Sequence, residues 1–116
     1  MIQGVYNFPK TVSGDTLNEI EFTLTDGVGP IDITGYVIKC NFMPAPDMTP
    51  LLLLSTEDGS IEITDAENGV FKINKLIVSL LPSVYIYDME FELPNGDVFT
   101  YIKGEFEVLT EITKND

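Results

Sequence analysis

Carboxylates two residues apart on an extended chain project from the same face, and this sequence holds two such pairs, Glu90 with Glu92 and Glu105 with Glu107. Two acids on one face are the equipment of glycoside hydrolysis, where one protonates the leaving oxygen and the other attacks or activates water. Plain alternation on a solvent-facing strand gives the same spacing without chemistry. The chain also has no histidine, arginine or tryptophan to position a sugar. A third acidic group, Asp65, Glu67 and Asn68 beside Gly69, offers the hard oxygen ligands that calcium takes. It lacks the alternating acids, glycine and distant glutamate of the helical calcium loop. It reads as a turn in which Asp65 and Asn68 make side-chain-to-backbone bonds and Gly69 supplies a positive φ. No catalytic residue, metal ligand or cofactor site is assigned from these groups, and the chain is not expected to be an enzyme.

The missing residue types sharpen that exclusion. The 116 residues include six lysines and one cysteine but none of the arginines and histidines that carry most phosphate-binding and acid–base work. Nineteen acids against six bases give a net charge of −13, a field that repels phosphate backbones and anionic headgroups. Neither nucleic acid nor a membrane surface is an expected partner. The acids serve as a solvated coat or, more sharply, attract a basic protein surface. At 44% apolar, a chain of this length can bury one core without staples and is expected to form a single domain over 1–116. Cys40 shares a face with Ile38 and Phe42 in the run VIKCNF and reads as a small core residue. A lone cysteine forms no intrachain disulfide, which suits a reducing compartment. The opening MIQGVYNFPK has no basic stretch followed by an apolar one. The longest apolar run, Pro50 to Leu54, is too short to span a bilayer, so a soluble, unexported protein is expected.

The elements that would position these side chains are strands. Runs rich in Ile, Val, Thr, Phe and Tyr recur between Gly, Asp, Asn and Pro at the spacing of an all-β domain, giving about seven to eight strands. Ile2 to Phe8 is a first strand ended by Pro9. Leu17 to Thr25 alternates, with Ile20, Phe22 and Leu24 inward. Tyr36 to Met43, Leu51 to Ser55, Ser60 to Thr64 and Val70 to Ile73 follow. Pro44, Pro46 and Pro50 interrupt the ladder between the first two of these. Lys75 to Leu81 fits either a short helical turn or a connecting strand, and is taken as a short helical or irregular crossover before Pro82. Tyr85 to Val108 forms a long hairpin. With Asn95-Gly96 as a two-residue turn, facing residues have numbers that sum to 191. That register sets Tyr85, Tyr87, Met89, Phe91 and Leu93 with Val98, Ile102 and Phe106 on one face, and opposes Asp88 to Lys103 and Glu90 to Tyr101 on the other.

Two apolar sets do not fit into one core and are the candidate interaction surface. Leu51, Leu52, Leu53 and Leu54 point to both faces of their strand. Ile86, Phe99 and Tyr101 fall on the acidic outward face of the hairpin in that register. The plain alternatives are a strand covered on both sides by the proline-rich loop, and cross-strand packing that shields the ladder.

The segments GDTLNEIEFTLTDGVGPIDITGYVIKCNF, ITDAENGVFKI and LPSVYIYDMEFELPNGDVFTYIKGEFEVLTEIT carry a family likeness. Their order of motifs is a Gly-Asp-Thr start, an alternating strand, a glycine-rich turn and an Ile-Thr-Gly segment. A turn ending in Asn-Gly-Val-Phe, a Tyr-x-Tyr-Asp strand, a Pro-Asn-Gly hairpin and a Gly-x-Phe-x-Val strand follow. From about Gly14 to Thr113 this resembles small modules of bacteriophage and prophage virion proteins, among them the N-terminal domain of the baseplate upper protein. The resemblance implies an immunoglobulin-like β-sandwich of mostly antiparallel strands, with a core over about 14–113 and a role in virion assembly. It implies other virion proteins and further copies of the chain as partners. The place of action would be the virion, reached through the host bacterial cytoplasm. The chain ends after one module, without a following coiled coil or receptor-binding part, which favours a decoration, adaptor, neck or baseplate component over a full fibre. A carbohydrate- or cell-surface-binding sandwich is the alternative, with Tyr36, Phe99 and Tyr101 as its aromatic platform.

Overall fold

The computed structural model describes residues 4–44 and 49–110, and eleven strands with one 3-10 turn make up its regular structure. The chain is all-β, as its alternation predicts. The short segments β1 (Gly4–Val5), β2 (Thr11–Val12) and β3 (Thr16–Leu17) come first. They are followed by β4 (Ile20–Thr23), β5 (Val37–Met43), β6 (Leu52–Ser55) and β7 (Ile61–Asp65). After the 3-10 turn Ala66–Asn68 come β8 (Val70–Ile73), β9 (Leu76–Ile77), β10 (Ser83–Glu92) and β11 (Val98–Leu109). Seven of these are four residues or longer, within the expected number.

The larger sheet runs in the order β1-β11-β10-β5-β6, with β2 also on β11. A smaller one runs β4-β8-β7, and β3 pairs with β9 alone. All pairings are antiparallel except those of β1 and β2, which lie parallel to β11. Pro9 stands between these two contacts, where its missing N–H would break a continuous ladder. Phe8 on this N-terminal segment plugs the core. Its ring centroid lies 5.4 Å from Phe42, 4.7 Å from Tyr87 and 5.4 Å from Phe106. The two sheets meet through aromatic packing: Phe22 stacks on Phe71 at 5.2 Å, and Phe71 sets its edge on Phe91 of the larger sheet at 5.6 Å. Burying each such ring contributes roughly 1.5–3 kcal/mol, which makes this aromatic seam the main cohesion between the layers.

Strand β5 shows why the alternation was readable. Ile38, Cys40 and Phe42 are fully buried while Val37, Lys39, Asn41 and Met43 are only half-buried on the other face. The Asp65–Gly69 turn forms with Gly69 at φ +71° as expected, but Asp65 and Asn68 bond each other, Asn68 Nδ2 donating to Asp65 Oδ2 at 2.9 Å, instead of the backbone.

The hairpin departs from its expected register in two places. The connection is the three-residue loop Pro94-Asn95-Gly96, closed by Leu93 N–H donating to Asp97 O at 2.8 Å, with Gly96 at φ +95°. A two-residue turn would put Pro94 into the ladder opposite Asp97, where it has no N–H to give. At the first central position of a turn its fixed φ is an advantage. Glu92 therefore faces Val98 and Glu90 faces Thr100, one residue out of register. A β-bulge between Met89 and Glu90 then restores it, so that Met89 faces Ile102 and Asp88 faces Lys103 as expected. Tyr101 is the extra residue at the bulge. It turns inward beside Ile102 instead of facing out opposite Glu90, and Val98, expected inside, is exposed at the hairpin tip.

Two further expectations change. The first strand is reduced to Gly4–Val5, though Tyr6 N–H and Phe8 N–H continue to bond Lys103 O and Glu105 O at 3.0 and 2.9 Å; Ile2 lies outside the described residues. The segment Lys75 to Leu81 is not helical. Leu76 and Ile77 pair with Leu17 and Thr16, and an irregular crossover follows. The apolar face of Val78 and Leu80 is spent on the core, which a two-residue strand and a bend satisfy as well as a helical turn.

Candidate functional site

The acids that could have done chemistry are distributed over the surface. Glu90, Glu105 and Glu107 lie on the outward face of the larger sheet, and Glu107 Oε1 pairs with Lys10 Nζ at 3.6 Å. Among the described residues no group of three or more acids, cysteines or histidines is close enough to hold a metal ion. Asp26, Asp32 and Asp58 each have a carboxyl held below the usual range by local bonds. Backbone N–H groups of Gly29 and Val28 act on Asp26, the Thr34 hydroxyl and N–H on Asp32, and the Ser60 hydroxyl and N–H on Asp58. These acids organise their own loops. Cys40 is fully buried, and burial pushes its thiol well above the ordinary range.

The outward face of the larger sheet gathers a different kind of site. One row crosses five of its six strands, because paired residues share a face: Leu53 faces Asn41, Asn41 faces Asp88, Asp88 faces Lys103 and Lys103 faces Val5. The next row sets Met43 beside Ile86 and Ile86 beside Glu105, and the row beyond sets Val84 beside Glu107. Asn41 Nδ2 donates to Asp88 Oδ1 at 2.9 Å and holds that carboxylate upright in the middle of the face. Around it Leu51 and Leu53 are 59% and 51% exposed, and Val5 is 70% exposed. A hollow of about 670 Å³ opens between Val5, Asn7, Met43, Ile86, Lys103 and Glu105. The outward face thus carries an apolar band interrupted and flanked by carboxylates, the composition of an exposed patch rather than of a core.

Of the seven residues singled out in the sequence, this face unites Leu51, Leu53 and Ile86. Leu54 is buried in the core, and Leu52, half-buried, packs against it. Phe99 and Tyr101 lie elsewhere. Phe99 pairs with Phe91 and so shares the inner face at the hairpin end, 43% exposed, while Tyr101 is only 4% exposed. Tyr101 stacks on Phe99 at 5.6 Å and tilts against Phe91 at 5.1 Å. Burial, then the neighbouring Tyr36, raises the phenol of Tyr101 above its ordinary value. The sequence reading missed Met43 and Val5. Met43 was available from the alternation of β5, whose inward set leaves it facing out. Val5 was not, since its face depends on the parallel pairing with β11.

No protein-family model matches this chain, and no curated protein matches it.

Proposed function

We propose that this chain is a non-enzymatic structural protein of a phage or prophage particle, a decoration, adaptor, neck or baseplate component that works by docking against other proteins. The observation that carries the docking reading is the row Leu53–Asn41–Asp88–Lys103–Val5 with its flanking Met43 and Ile86, which leaves large apolar side chains in solvent on an ordered sheet face. The virion assignment leans on the motif order described above. The strand orders β1-β11-β10-β5-β6 and β4-β8-β7, with a parallel N-terminal strand at one edge, support reading the sandwich as immunoglobulin-like. The carbohydrate alternative loses one of the three residues of its aromatic platform, because Tyr101 packs inward while Phe99 stays 43% exposed.

The test is incorporation into particles. Particles purified from a host carrying the gene contain the wild-type chain, and a Leu53→Glu, Ile86→Thr double variant that folds normally stays in the soluble fraction. Particles that lack the wild-type chain overturn the proposal.

A further inference from the structure

Resting on the reading of the outer sheet face as a docking surface, we infer that its occupant is a basic protein surface, one that presents a large apolar side chain flanked by lysine or arginine. Three ion pairs among the described residues, Lys10–Glu107, Lys39–Glu57 and Lys72–Glu19, take up half of the six lysines of the chain. Two of these pairs, Lys10–Glu107 and Lys39–Glu57, lie on or beside the outer face and partly offset its positive charge. Asp88, Glu90, Glu92 and Glu105 on the outward columns of β10 and β11 still outnumber the cations beside them, Lys103 opposite Asp88 and Lys39, shared with Glu57, opposite Glu90.

The acids stand on β10 and β11, between the apolar residues of β6 and β5 on one side and Val5 of β1 on the other. Asp88 and Glu105 line the hollow between Met43, Ile86 and Val5, and Glu90 follows two residues along β10 on the same face, so a partner side chain entering that hollow meets carboxylates on its rim. The arrangement selects by charge as well as by shape: an acidic partner meets an excess of like charge, and a neutral apolar one leaves Glu105 partly desolvated without gaining a counter-ion. A second copy of this chain is a poor occupant for the same reason, since it carries the same net charge of −13.

The experiment uses the whole chain, isotope-labelled, and two soluble hexapeptide probes that alternate leucine with lysine or leucine with glutamate. The lysine peptide is expected to shift amides of Met43, Ile86, Asp88 and Lys103, to weaken by about tenfold or more when Glu90 and Glu105 are both changed to lysine, and to weaken steeply with salt. The glutamate peptide is expected to leave the wild type unshifted and to bind the charge-reversed variant. Shifts confined to the acidic outer face of the smaller sheet, around Glu21 and Glu62, overturn the inference, as does equal binding of both peptides or of neither. If light scattering instead finds a concentration-dependent dimer that Leu53→Glu abolishes, the partner chemistry is wrong while the docking face stands. Retained particle incorporation by the Leu53→Glu, Ile86→Thr variant removes the face itself.

Discussion

Gly104 lies directly beneath the backbone of Tyr6: a Cβ at position 104 would collide with the Tyr6 carbonyl oxygen. Tyr87, which faces Gly104 across the ladder, donates its phenol to the same oxygen. The absence of a side chain on β11 is therefore what lets the N-terminal segment cross close enough to seat Phe8 in the core. The relationship joins a residue near the start of the chain to one near its end. Gly104→Ala is expected to cost about 1–3 kcal/mol, because the collision is with backbone and the segment has to lift. Urea unfolding measures the loss. Hydrogen exchange locates it, since the Phe8 amide that bonds Glu105 O at 2.9 Å loses protection before the amides of β10 do.

Tyr101 separates the two registers of the hairpin by experiment. In the uninterrupted register it is an exposed cross-strand residue whose truncation changes stability by about 0.5 kcal/mol or less. As the inward residue of a bulge, stacked between Phe91 and Phe99, its replacement by alanine is expected to cost about 3 kcal/mol. The denaturant midpoint of Tyr101→Ala, beside that of the outward-facing Glu90→Ala, decides between them.

That hairpin also shows what a sequence can specify. The inward set Tyr85, Tyr87, Met89 and Phe91 was legible because strict alternation leaves one choice of face. The dipeptide Asn95-Gly96 suggested a two-residue turn, and the neighbouring Pro94 overrode it. The added loop residue and the bulge at Tyr101 offset one another, so the pairing of Asp88 with Lys103 came out right although the path to it was wrong. A bulge leaves little local signature here beyond two consecutive large apolar residues, Tyr101-Ile102, both buried. The docking face was half legible for a related reason. Leu51, Leu53 and Ile86 follow from their own strands, whereas the arrival of Val5 beside Lys103 is a long-range parallel pairing that no local pattern encodes.

Tyr87 makes the protein sensitive to alkali. Burial, followed by the effects of Cys40 and Tyr6, raises its phenol above the ordinary value of 10.0, so the native state holds the proton after the unfolded chain has lost it. Between those two values the native state binds more protons than the unfolded one, and stability falls as pH rises. The part of the decline that belongs to Tyr87 is expected to begin near the ordinary phenol range, at about pH 10, above the onset of the part due to Cys40. Tyr87→Phe loses the bond to Tyr6, at about 1 kcal/mol near neutrality, and flattens the alkaline slope. Melting temperatures of both proteins from pH 8 to 11 test this, and parallel curves would show that Tyr87 is not the group responsible.

Cys40 gives an optical test of the same core. Its thiol is buried and held well above its ordinary value of 9.0 by desolvation and by Asp88, so the reactive thiolate is scarce and shielded in the native state. A disulfide reagent is expected to modify it only at the rate of unfolding, and at the free-thiol rate in denaturant. Rapid native modification would place Cys40 on the surface and remove the inward assignment of β5.

The leucine run supplies the closest pairing of a core residue with a surface one. Leu54 faces Cys40 and is buried in the central cluster, so Leu54→Ala is expected to cost about 2–5 kcal/mol. Leu53, one residue away, faces Asn41 on the opposite side and is 51% exposed, so Leu53→Asp is expected to change stability by about 0.5 kcal/mol or less. The same aspartate adds negative charge to a face whose proposed partner is basic while deleting an apolar contact, so its effect on binding isolates the apolar contribution: affinity falls only if burial of Leu53 outweighs the added attraction. Charge attraction at an exposed edge contributes about 1 kcal/mol or less, and a buried leucine contributes more, so weaker binding is the expected sign. Urea titrations of the two variants, read beside peptide titration of Leu53→Asp, check both halves, and comparable stability losses at 53 and 54 would mean that β6 is buried on both faces.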